Sequence, residues 1–126
     1  MFVKIPEVTG LKLYLNKSDP PQLVVHGEGD VPTTGWTETG LIPWAYVAEP
    51  SDGIQDFDFV ALAPSGIVMN VITRITADIR LTPPNWVKGV RIHAGSNNIE
   101  GLIGQADVSF DGIEFAGGEI PWPLQV

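Results

Sequence analysis

The sequence predicts an all-β fold, an antiparallel β-sandwich of about seven to nine strands, with a closed β-barrel as the alternative. Three observations carry this. The 14 Gly and 11 Pro among 126 residues leave only 67–82 long enough for an average helix, and nine of those 16 residues are Val, Ile or Thr. Apolar and polar residues alternate along several short runs. Turn signals separate those runs every 10–15 residues or so.

Taken in chain order, Leu11, Leu13 and Leu15 share one face of a first strand, with Lys12, Tyr14 and Asn16 on the other. A second strand is expected from Gln22 to Glu28. The stretch Gly27–Gly40, rich in glycine and poor in alternation, reads as a long connection whose Trp36 folds onto the core or lines a binding loop. Leu41–Ala48 is a further candidate, with Pro43 placing it late or at an edge. Phe57, Phe59, Ala61 and Ala63 alternate next. Ile67–Leu81 is apolar at seven of its eight odd positions and reads as one long strand, bulged or bent. Trp86–Ala94 follows, and Trp44 and Trp86 are expected in the core. Val108–Phe115, with Asp111-Gly112 at its centre, carries the signature of a two-residue hairpin. Reversals are expected at 50–53, 64–66, 83–85 and 95–98.

With 126 residues and 13.6 kDa, the chain suits one domain spanning 1–126 and large enough for its own core. It has no cysteine, which removes disulfides, thiolate metal sites and thiol catalysis. The net charge of −8 argues against a nucleic-acid surface. No apolar run approaches the roughly 18 residues of a membrane span. Lys4, Pro6 and Glu7 interrupt what a secretory signal would need, so the cytoplasm is the expected location, without membrane partners. Between residues 18 and 73 there are eight acids and no Lys or Arg, whereas Arg74, Arg80, Lys88 and Arg91 follow closely. These charges pair either between protomers of an oligomer or across neighbouring strands of one chain, the strands 55–63 and 67–81 being the expected neighbours.

Few residues suggest chemistry. His26, Glu28 and Asp30 share a face if the strand continues through Gly27 and Gly29, and with His93 they would suit a divalent metal. The cupin pattern of His-x-His is not met, since position 28 is Glu. Asp52, Asp56 and Asp58, or Asp107, Asp111 and Glu114, offer oxygen ligands for calcium without the spacing of a calcium loop. Solvation of an acidic surface explains the same residues. There is no nucleophile elbow and no phosphate loop. Trp36, Trp122 and Tyr14 are candidates for stacking a carbohydrate or other small ligand.

The leading expectation is therefore a non-enzymatic binding or interaction module that associates with itself. Its rivals are a small metal- or carboxylate-dependent β-barrel enzyme and a structural subunit of a larger assembly. The enzyme requires His26 and His93 in one cleft, whereas the module predicts separated histidines and an exposed tryptophan.

Overall fold

Alternating apolar side chains bring two sheets face to face in the computed structural model, which describes residues 2–17 and 19–103. Among the described residues there are eight strands, in an open sandwich that is not closed into a barrel. They are β1 (Phe2–Lys4), β2 (Glu7–Asn16), β3 (Gln22–Val31), β4 (Thr37–Pro43), β5 (Ile54–Leu62), β6 (Thr73–Leu81), β7 (Gly89–His93) and β8 (Asn98–Leu102). The expected hairpin at Val108–Phe115 and Trp122 lie outside the described residues.

One sheet runs β2-β3-β6 and is antiparallel throughout. The other is built around β5. Along one edge β5 pairs with β4; along the other, β1 pairs with its C-terminal half and β7, in parallel, with its N-terminal half. The strand β8 then pairs antiparallel with β7. Because β5 and β6 belong to different sheets, the expected pairing of 55–63 with 67–81 is not made. The connection 63–72 carries the chain across the sandwich instead, and Ile67–Ile72 lies outside any strand.

Between the sheets, Leu11, Leu13, Leu23, Val25 and Ala77 meet Leu41, Phe57, Phe59, Val90 and Ile92, all buried. Burying each of the larger side chains stabilises the fold by roughly 1.5–3 kcal/mol. The strand β3 runs three residues beyond its expected end at Glu28, and the reason is steric. Gly27 and Gly29 are inward positions with no room for a side chain, the first against the opposing layer and the second against Ile5 and the neighbouring strand β2. A Cβ on Gly27 would lie 3.1 Å from Ile92 Cδ1, and one on Gly29 would lie 2.3 Å from Ile5 Cδ1 and 2.6 Å from the Glu7 carbonyl. These glycines continue the inward face of the strand with no side chain to mark it, which is why the alternation fades there.

Other boundaries moved for local reasons. The strand β4 ends at Pro43, where a run through Ala48 was expected; the Trp44 backbone N–H still donates to the Asp56 carbonyl at 2.9 Å before the chain leaves the sheet. Its bulge between Thr37 and Gly40 holds Glu38 at a φ of 52°. The Pro50–Gly53 reversal forms as expected: Gly53 takes a φ of 71° and donates to the Pro50 carbonyl at 3.1 Å. The strand β7 begins only at Gly89, leaving Trp86 before it. The 95–98 reversal joins β7 to β8 and locks the two sheets together. There the Asn97 side chain accepts from the Val8 N–H and donates to the Val8 carbonyl, both at 2.9 Å.

Candidate functional site

The outward face of β5 carries a dense polar network. Asp56 points away from the core yet is only 6% exposed. The parallel register sets it beside Arg91 of β7, and the next outward pair is Asp58 with His93. Asp56 Oδ1 accepts from Arg91 Nη1 at 2.9 Å and from His93 Nε2 at 2.7 Å. Its Oδ2 accepts from the Tyr46 hydroxyl at 2.7 Å, and that hydroxyl oxygen in turn accepts the Asp56 backbone N–H at 2.7 Å. Arg91 also reaches Asp52 at 3.2 Å and Glu100 at 3.1 Å.

The electrostatics follow from this geometry. Burial pushes the Asp56 carboxyl up, but the Tyr46 hydroxyl, His93 and Arg91 outweigh it and hold it below the usual carboxylate range. Burial, followed by the hydrogen bond to the Asp56 carboxylate, pushes the Tyr46 hydroxyl up to about 12. The Ile54 N–H and then Arg91 hold Asp52 below its ordinary value. Loss of water works against the Arg91 charge, yet Asp52, Glu100 and Asp56 keep its pKa above the ordinary value.

This network fixes an aromatic surface. The Trp44 indole stacks on His93 with ring centroids 4.6 Å apart and planes 14° from parallel. Its Nε1 donates to Asp58 Oδ1 at 3.0 Å, and Lys4 Nζ lies 3.6 Å from the same oxygen. Trp44 is 40% exposed, which corrects the expectation that it belongs to the core. It follows Pro43 at the end of an edge strand, on the face turned away from the other sheet. Trp86 is half-buried and meets Tyr46 edge-on at 5.9 Å.

A second cluster occupies the outward face of the three-stranded sheet. Since β3 continues through its glycines, His26, Glu28 and Asp30 do share one face, and the register sets them opposite Asp78, Thr76 and Arg74. His26 Nδ1 is hydrogen-bonded to Asp78, and its Nε2 lies 3.2 Å from Glu28 Oε2. Lys12 Nζ lies 3.7 Å from that same Glu28 oxygen. Arg74 Nε donates to Asp30 at 2.7 Å and Arg74 Nη1 to Glu28 at 3.5 Å. Arg74 thus pairs within the chain with two acids of the acidic run, across β3 and β6, as Arg91 does with Asp52 and Asp56 on the other sheet. Burial opposes the charged form of His26, but Asp78 and then Glu28 outweigh it and raise the pKa, because only the protonated ring donates to both carboxylates.

Comparison of the chain with protein-family models, characterised proteins and solved structures finds no match.

The structure thus brings His26, Glu28 and Asp30 together but leaves His93 on the other sheet. Among the described residues no three of His, Asp or Glu are grouped as a metal would need. Of the calcium candidates, Asp52 and Asp56 are tied to Arg91 and Asp58 to Trp44 and Lys4. Trp36 is partly buried against the core with its Nε1 donating to Thr33 at 3.1 Å, and Tyr14 is buried, 5% exposed. Sequence reasoning did not bring Tyr46 and Arg91 to one site with Asp56, and it missed the exposure of Trp44. The outward alternation of Arg91 and His93 was visible; their parallel pairing with Asp56 and Asp58, 35 residues away in each case, was not encoded in any local spacing.

Proposed function

We propose that the protein is a non-enzymatic interaction module that assembles with copies of itself through the connection 67–72. One observation carries this: within six residues, Ile67 is fully exposed, Met69 69%, Ile72 75% and Val71 about half. Apolar side chains exposed in such density mark a contact surface, because each one buried against a partner recovers roughly 1–2 kcal/mol. The segment is also held in place. Thr34 N–H donates to the Met69 carbonyl at 3.0 Å, and the Thr34 hydroxyl accepts the Met69 N–H at 3.0 Å. A surface positioned in advance loses less entropy on docking.

The rival enzyme reading needed both histidines in one cleft, and they stand on different sheets. A subunit of a larger mixed assembly would use the same apolar segment. Sedimentation velocity across a wide concentration range separates these two readings. Self-assembly predicts a species at a multiple of 13.6 kDa that Met69→Asp with Ile72→Ser returns to monomer. A wild-type chain that sediments as monomer throughout would rule out self-assembly.

A further inference from the structure

The outward face of the five-stranded sheet carries a strip that lies apart from the 67–72 segment. Outward residues of β5 recur about 6.6 Å apart, two residues per repeat, and here they are Asp56, Asp58, Val60 and Leu62. Beside them stand Ile42, opposite Asp58, then Lys4, opposite Val60, and Phe2, opposite Leu62. Trp44 closes the strip at the Asp58 end.

Three features of this strip converge on one ligand chemistry. First, the indole is immobilised before any ligand arrives: one face rests on His93, which is itself bonded to Asp56, and the N–H is bonded to Asp58. The exposed part of the ring is a flat apolar surface with little rotamer entropy left to lose. Second, a charged pair borders that surface. Asp58 Oδ1 takes both Trp44 and Lys4, and Asp58 Oδ2 accepts no hydrogen bond among the described residues. Third, the strip continues into an open depression of about 550 Å³ lined by Phe2, Ile42 and Val60 together with Glu38, Thr39 and Gly40. A pyranose ring has this amphipathic shape, with a flat C–H face and hydroxyls around the edge that pair with carboxylate and ammonium groups. Equatorially linked pyranoses form flat ribbons that suit a flat strip. The net charge of −8 selects against anionic polysaccharides.

We propose that this strip binds a neutral β-linked oligosaccharide, with one ring stacked on Trp44 and hydrogen-bonded to Asp58 and Lys4, and the next ring seated against Ile42 and Phe2. The test is isothermal titration calorimetry with cellohexaose and mannohexaose, with α-linked maltohexaose and an extended Leu/Phe peptide flanked by lysines as comparisons. At least one β-linked hexaose binds, with maltohexaose and the peptide weaker. Trp44→Ala lowers that affinity by about tenfold or more, while Trp44→Tyr, which keeps a flat ring, retains most of it. Asp58→Asn lowers it several-fold. Melting curves confirm that each variant is folded. Absence of binding by both β-linked hexaoses at millimolar concentration overturns the proposal. So does sugar binding that Trp44→Ala leaves intact, or a Trp44-dependent preference for the peptide. Sedimentation of the same samples reports the assembly separately, so either proposal can fail alone.

Discussion

Replacing Asp56 with Asn removes one charge from the most heavily bonded carboxylate of the outer sheet face. The structure sets the size of the effect. Asp56 accepts side-chain hydrogen bonds from Arg91, His93 and Tyr46 at 2.7–2.9 Å while almost wholly buried. Hydrogen bonds to a charged group contribute about 1.5–3 kcal/mol each, and breaking a buried ion pair from one side costs about 3–5 kcal/mol. Two facts reduce this. Arg91 keeps Asp52 and Glu100, and the Asn carbonyl still accepts from one donor. The expected loss is therefore about 3 kcal/mol, a large share of the 5–15 kcal/mol that typically stabilises a fold. In urea unfolding the midpoint falls while the slope stays unchanged. Trp44 fluorescence shifts as well, because His93 loses the anchor that holds it beneath the indole. The pH dependence adds a sign. Asp56 is held below the usual carboxylate range, so its contribution is present above its unfolded pKa of about 3.9 and is lost as pH falls through its folded value. Asp56→Asn loses that acid limb. A loss under about 1 kcal/mol with unchanged fluorescence would refute the view that Asp56 organises this face.

Two further outcomes concern the other sheet. Gly29→Ala places a Cβ 2.3 Å from Ile5 Cδ1 and 2.6 Å from a backbone oxygen, so it destabilises by at least about 2 kcal/mol in urea, whereas Gly66→Ala, with nothing within 4 Å, changes stability by less than about 0.5 kcal/mol. For His26, burial lowers the pKa but Asp78 and Glu28 raise it further; its contribution is complete below the unfolded value of about 6.5 and disappears as pH rises through the higher folded value. Wild type therefore loses stability over that alkaline step, and His26→Gln does not; parallel curves for the two would exclude His26 as the group responsible.

The sandwich was legible wherever inward positions carried large side chains. Leu11, Leu13 and Leu15 announce β2, and Phe57, Phe59 and Ala61 announce β5. It became illegible where the inward residue was glycine, at Gly27 and Gly29, since a strand face with no side chain has no hydropathy to read. The run Ile67–Ile72 misled in the opposite direction. Its alternation matches the strand that follows it, but Ile67, Met69, Val71 and Ile72 are exposed, and hydropathy alone does not record which apolar residues the fold covers. Of the two readings given for Trp36, packing against the core is the one the fold shows, with the ring partly buried. Trp44 was expected in the core and is not there: it lies two residues beyond Ile42, on the same outward face of the sheet, with its backbone N–H bonded to the Asp56 carbonyl. The network at Asp56 was beyond reach for a different reason. Arg91 and His93 come to it through parallel pairing across a connection that includes an entire strand of the other sheet, and no spacing along the chain records that register.

The central claim is that 67–72 is buried between copies of the chain. The absence of cysteine permits a direct measurement, because Met69→Cys introduces a single thiol. Its rate of maleimide labelling should fall steeply as protein concentration rises from low micromolar to near millimolar. A thiol at Val47, fully exposed on the 44–53 loop, should label at one rate throughout. Equal and concentration-independent rates at both positions would contradict the assignment of this segment as the self-association surface.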